Sequence, residues 1–296
     1  MRTLSNVDKI LICRYVAGVR LANVDGRATL LYPGGGLDVA RASDGRFGPD
    51  LHAIYASWLG FRDWAATAAA AGPTPVAEHD LRPPSPRPAQ VFGIGLNYRD
   101  HAREAGMPLP ERPATFTKFP TCLARPHADV RLPSAMVDWE VELVAVIGVR
   151  AYRVAEDDAW RHVAGLTIGQ DLSERVVQWS AGGQFCLGKS FPDFGPTGPW
   201  LVTPDELDHP DDLAIGCRLN GDVVQESRTS DMVFGVPRLV AELSAILPLL
   251  PGDVVFTGTP AGIGATRKPP RFLVPGDVLV SRIDGIGEIR NRMVAA

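Results

Sequence analysis

From Val91 onward, apolar residues come in short runs or at every second position, the period of a β-strand. This pattern predicts strands at Val91–Leu96, Val141–Ile147, Leu166–Asp171, Ala214–Leu219, Val223–Arg228, Asp253–Thr257, Asp277–Ile283 and Gly287–Met293. Asn220-Gly221 and Asp284-Gly285 read as two-residue hairpin turns, and Pro-Gly-Asp launches a Val-rich strand at both 251–253 and 275–277. Helical spacing is scarce in this part: about Glu156–Val163, and Val236–Leu247, where Val236, Leu239, Val240, Leu243, Ile246 and Leu247 share a face. Upstream, Lys9–Val16, Val19–Val24 and Ala28–Tyr32 predict short strands, the last two joined at Asp25-Gly26. Leu51, Ile54, Tyr55, Trp58 and Leu59 then recur at helical spacing, with Gly72 as the stop.

The proline-rich segment HDLRPPSPRPAQ reads as a stiff linker, so the chain divides into a small N-terminal module, residues 1–80, and a larger domain, residues 81–296. Strands that do not alternate with helices argue against a doubly wound sheet. The expected class is α+β and β-rich: mixed β-sheets packed as a sandwich or roll, with a small N-terminal α/β module.

Composition narrows the partners. The 296 residues are 45% hydrophobic and 22% charged with a formal net charge of −4, and no basic stripe forms. Nucleic acid is therefore not expected. Lys9, Arg14 and Arg20 interrupt the apolar N-terminus, so neither a signal peptide nor a membrane span is expected. The four cysteines, Cys13, Cys122, Cys186 and Cys217, lie far apart without a CxxC pair; free thiols in a reducing, cytoplasmic compartment are the expectation.

The candidate chemistry starts with VDWEVEL, residues 137–143, where Asp138, Glu140 and Glu142 alternate with apolar residues at the head of a core strand. Residues i and i+2 of a strand lie about 7 Å apart on one face, so Glu140 and Glu142 can converge on one cation, with Asp171 at the end of LTIGQD as a candidate third acid. An oxygen-only donor set selects a hard divalent ion such as magnesium, manganese or calcium. The plain alternative is a solvated acidic face. In GLNYRDHAREAG, residues 95–106, Asn97 is a candidate cap and Gly106 a stop, and Tyr98, His101 and Glu104 recur at helical spacing. A carboxylate beside an imidazole fixes its tautomer and stabilises its protonated form; the alternative is a surface contact. GQFCLGKS, residues 183–190, matches a phosphate-loop pattern, but Pro192, Pro196 and Pro199 follow where that loop needs a helix. Lys189 therefore reads as a lysine in a loop rather than as a nucleotide ligand. No GxSxG elbow is present.

Taken in order, GLNYRDHAREAG, DWEVELVAVIG, GQDLSERVVQ, LGKSFPDFGPTGPW, LNGDVVQESRTSDMVF and GDVVFTGTPAGIG resemble the fumarylacetoacetate hydrolase family over roughly two thirds of the chain. The resemblance implies a β-sandwich or roll, a resident Mg²⁺ or Mn²⁺ (Ca²⁺ as another occupant), and a homodimer. It implies metal ligation by Glu140, Glu142 and Asp171, but not Asp138, and a water-activating His101–Glu104 pair with Lys189. It also implies substrate contacts from Gln178 and Thr259 and, in a supporting role, from Tyr98, with further support from Arg175. Val176 after Arg175, Pro192 after GKSF and Leu96 before Asn-Tyr depart from the family pattern. The implied activity is hydrolysis of a C–C bond in a small 2-oxo acid or 1,3-dicarbonyl, because the His–Glu pair is what attack by water needs. The alternatives are decarboxylation or isomerisation (tautomerisation) on the same site, and a non-catalytic metal-binding homologue.

Overall fold

All seven residues of the strand Val141–Ile147 are buried, because both of its faces are covered. In the computed structural model, which describes residues 18–68, 73–180 and 182–296, this strand lies inside an eleven-stranded mixed sheet. Leu143, Ala145 and Ile147 point into a core shared with a second, five-stranded sheet, against residues such as Ile215, Leu279 and Ile289. Val144 and Val146 point the other way, into a core built with Leu21, Leu30, Ile54, Trp58 and Phe61 of the N-terminal region. The period of two then places Glu140 and Glu142 at the head of the face that carries Val144 and Val146. The acids thus occupy the end of a layer rather than a solvated face.

The main path of the large sheet runs 35–38, 27–32, 20–24, 195–202, 163–170, 141–147, 254–256, 91–95 and 114–117. Most pairs are antiparallel, but Val254–Phe256 runs parallel to Val91–Gly95. The five-stranded sheet runs 222–228, 214–219, 278–283, 287–295 and 129–132. The result is a β-rich α+β sandwich of mixed sheets without a closed barrel, as the hydrophobic pattern implies. Helices are few and short; Val236–Ile246, with Val236, Leu239, Val240 and Leu243 buried, is the longest of those described.

Several expectations change in detail. Lys9–Val16, Cys13 and the stop at Gly72 lie outside the described residues. The N-terminal helical stretch is two helices, Leu51–Ala56 and Trp58–Ala65, broken at Ser57, whose φ of −120° leaves the helical region. The segment 156–162 is a 3₁₀ helix, not an α-helix. Gly195–Val202 is a central strand that its two internal prolines conceal from its propensities; its ladder with Val163–Gln170 is irregular around Pro199, which cannot donate. That strand also pairs with Arg20–Val24, so the sheet is continuous from the N-terminal strands into the rest. No described helix is long and apolar enough to cross a membrane. Cys122, Cys186 and Cys217 are free thiols.

Candidate active site

Three buried acids meet where two strands of the large sheet begin and end. Glu140 and Glu142 come from the head of Val141–Ile147, and Asp171 follows the last residue of its antiparallel neighbour Val163–Gln170. One oxygen from each of the three lies within 4.8 Å of the others. Lys189 Nζ bridges two of them, 2.8 Å from Glu140 Oε2 and 2.5 Å from Asp171 Oδ2. Arg175 Nη1 approaches Glu140 Oε1 at 2.7 Å. Burial alone would raise the Glu140 carboxyl, but Lys189 and Arg175 outweigh it and hold it down at about 2. Glu142 differs. Its Oε2 accepts from the Gly258 amide at 2.7 Å, and no described cationic side chain pairs with it. Burial, then Asp171 and Glu140, push its carboxyl well above the usual range. A buried cluster of three acids that leaves one short of positive charge, with oxygen donors only, fits a hard divalent cation.

Asp138 takes no part in this cluster. Its Oδ2 pairs with Arg175 Nη2 at 2.6 Å and accepts from the Ala265 amide, while Oδ1 accepts from the amides of Trp139 and Gly264. It anchors both Arg175 and the segment 262–265. Arg175 in turn donates to Gln178 Oε1 at 2.9 Å, so one guanidinium ties Asp138, Glu140 and Gln178 together. Lys118 escapes the sequence reading altogether. It is fully buried, with Nζ 2.6 Å from Asp171 Oδ1 and donating also to the carbonyls of Lys189 and Phe194. No spacing rule marks the lysine of TFTKF; only the fold shows that it turns inward.

The expected His–Glu pair forms, with His101 Nδ1 3.3 Å from Glu104 Oε2. Partial burial works against the Glu104 carboxylate. Hydrogen bonds from His101, the Gly262 amide and Thr266 overcome it and lower its pKa. Asn97 does not cap this helix. Arg99–Ala105 begins after Tyr98 without a side-chain cap, and Gly106, at φ +65°, ends it. Asn97 instead donates to the carbonyls of Phe234 and Thr257 and accepts from the Phe234 amide. Tyr98 is fully buried, and its hydroxyl has no partner among the described residues. Thr259 donates to the Val141 carbonyl and accepts from Gln225.

A cavity of about 530 Å³ opens beside the acids. His101, Glu140, Arg175, Gln178, Lys189 and Thr259 line it together with many apolar residues, whereas Tyr98 is not on its wall. Leu96, which departs from the expected pattern, lies on the wall with φ +53°. Val176 is exposed, so its side chain does not press on Asp171.

The model for the fumarylacetoacetate (FAA) hydrolase C-terminal domain matches residues 90–294. The chain belongs to the fumarylacetoacetate hydrolase family. It is 44% identical over 223 residues to a Bos taurus mitochondrial oxaloacetate tautomerase, FAHD2A, covering 74% of this chain and 71% of that one. A solved structure of an HpcE-designated protein from Mycobacterium smegmatis has a TM-score of 0.90 and 50% identity, covering 94% of this chain and 99% of that one. A maleylpyruvate hydrolase from Sphingobium sp. SYK-6, solved with manganese(II) and pyruvate, has a TM-score of 0.77 and 28% identity over 94% of this chain and 99% of its own. Members of this enzyme family thus include hydrolases and tautomerases.

Proposed function

We propose that the protein is a divalent-metal-dependent enzyme that interconverts the keto and enol forms of a 2-oxo acid. The observation that carries this reading is the buried Glu140–Glu142–Asp171 cluster at the end of a cavity that also bears His101 and Lys189. The similarity to an oxaloacetate tautomerase supports tautomerisation over hydrolysis as the principal outcome.

Glu140, Glu142 and Asp171 would hold a Mg²⁺ or Mn²⁺, which would supply Lewis-acid polarisation of the substrate's 2-oxo group. His101 takes the proton from C3, and Glu104 orients the ring and stabilises its protonated form. The C3–H electron pair becomes the C2–C3 double bond, the carbonyl pair moves to oxygen, and that oxygen takes the proton back from the His101 imidazolium, which restores the neutral base. The reverse direction returns a proton to C3. Lys189 offers positive charge where the oxygen becomes negative, and Gln178, held by Arg175, faces the carboxylate end. Glu142 and Asp171 are buried behind Glu140, the member of the cluster that lies on the cavity wall.

Hydrolysis of an acylpyruvate is the second reading, favoured by the His101–Glu104 contact, which can also activate a water. The two separate in one experiment. With Mg²⁺-loaded protein, the ultraviolet absorbance of enol-oxaloacetate is followed in parallel with acetate release from acetylpyruvate. The proposal predicts accelerated loss of the enol, falling by about 10²-fold or more in His101→Ala, with no acetate above the protein-free control. Rapid acetate release with the enol decaying only at the buffer rate would make the protein a hydrolase instead.

A further inference from the structure

The cavity has two chemically different ends. Every charged side chain among its described lining residues belongs to the acid cluster or touches it: Glu140, Arg175 and Lys189, with His101 beside them. Both cations are already committed, Lys189 to Glu140 and Asp171, Arg175 to Asp138 and Glu140. Away from this end the wall is apolar. The Lys189 ammonium lies 4.9 Å from the centre of the Phe116 ring. Phe116 is followed by Phe185 at 5.8 Å, edge to face, and Phe185 by Trp179 at 4.9 Å in the same manner. An aromatic wall therefore runs from the ammonium to the surface, where Trp179 is 61% exposed. Met107 and Leu109, also about half exposed, stand on the cavity's mouth. Phe116 is seated by Gly93: a Cβ there would come within 2.3 Å of the ring, so the absence of a side chain fixes where the wall starts.

Exposed aromatic and aliphatic side chains gathered on one concave surface signal a ligand that covers them. A carboxylate at that end would lose water without gaining a cation, which is costly. A flat apolar group would gain edge and face contacts with three rings. We infer that this site selects 2-oxo acids whose C3 substituent is an uncharged, apolar group of aryl size, rather than a second carboxylate. This rests on the 2-oxo acid reading above but departs from a dicarboxylate substrate such as oxaloacetate. Phe116, Phe185 and Trp179 are the specificity-determining residues.

Phenylpyruvate and oxaloacetate share the 2-oxo acid head and differ only in a phenyl or carboxylate substituent, so they isolate this end of the cavity. Calorimetric titration of the Mg²⁺-loaded protein with each gives their dissociation constants, alongside the enol-to-keto rate for both. Phenylpyruvate is expected to bind at least tenfold more tightly. Trp179→Ala and Phe185→Ala should each weaken phenylpyruvate about fivefold or more and leave oxaloacetate within twofold. Leu109→Arg, at an exposed position, should tighten oxaloacetate and weaken phenylpyruvate. Equal or tighter binding of oxaloacetate by the unaltered protein would overturn the inference, as would equal losses for both ligands in the aromatic variants. The failures are distinguishable. Tight, wall-dependent phenylpyruvate binding without catalysed tautomerisation sinks the enzymatic reading and leaves the selectivity standing; fast oxaloacetate turnover with no phenyl preference does the reverse.

Discussion

At the scale of single residues, the three acids of VDWEVEL have two distinct jobs. Glu140 and Glu142 belong to the acid cluster, whereas Asp138 accepts five hydrogen bonds, two of them from Arg175 and two from the amides of Gly264 and Ala265. The alternation in the sequence shows that the three are near one another. It cannot separate their roles, because Arg175 and the loop amides arrive from 37 and 126–127 positions away. Asp138→Ala leaves the Arg175 charge with one fewer carboxylate and orphans two loop amides. Removing one partner of a buried pair costs about 3–5 kcal/mol. Chemical denaturation should show a loss of this size together with weaker binding of a 2-oxo acid, since Gln178 and Glu140 depend on the same guanidinium. A change under about 1 kcal/mol would mean that Asp138 does not anchor the site.

At the scale of elements, the site is assembled from strand ends and from backbone amides of one segment, GTPAGIG. Gly258 donates to Glu142 and Gly262 to Glu104, so one short segment orients both a cluster acid and the acid of the His–Glu pair. Gly258 holds φ +103°, and a Cβ there would lie 2.7 Å from the Asn97 Cβ. Gly258→Ala is therefore expected to lower stability by about 1–3 kcal/mol and to weaken divalent-ion binding in parallel, by thermal denaturation with and without Mg²⁺. Unchanged ion affinity would show that the Gly258 amide does not orient Glu142. The hydrophobic pattern makes the alternating strands legible, as Val141–Ile147 and Ala214–Leu219 illustrate, each with the bounds the pattern gives. It fails at Gly195–Val202, where glycine and proline disguise a central strand, and at Asn97, whose side chain serves long-range backbone partners instead of the nearby helix. The proximity of Glu140 to Glu142 and of His101 to Glu104 is legible because each pair lies within one local motif, whereas Asp171 and Lys189 reach Glu140 from other parts of the chain. Lys118 is not legible, since a buried lysine carries no local mark and gains its meaning only from Asp171, 53 residues away.

At the scale of the whole molecule, the eleven-stranded sheet packs on one face against the N-terminal helices and on the other against the five-stranded sheet. The large sheet is covered on both faces, so Glu140 and Glu142 lie buried, while Glu140 also forms part of the cavity wall. Such an arrangement stores unbalanced negative charge that a divalent ion neutralises, and ligands that bind only the folded state stabilise it, by about 2.7 kcal/mol at a concentration 100 times the dissociation constant. The most direct test is calorimetric titration of Mn²⁺ into the chelator-treated protein, compared with Glu142→Gln. One ion per chain is expected, with a melting temperature that rises with ion concentration and an affinity at least tenfold weaker in the variant. Identical Mn²⁺ binding by the two proteins, or none by either, would contradict this.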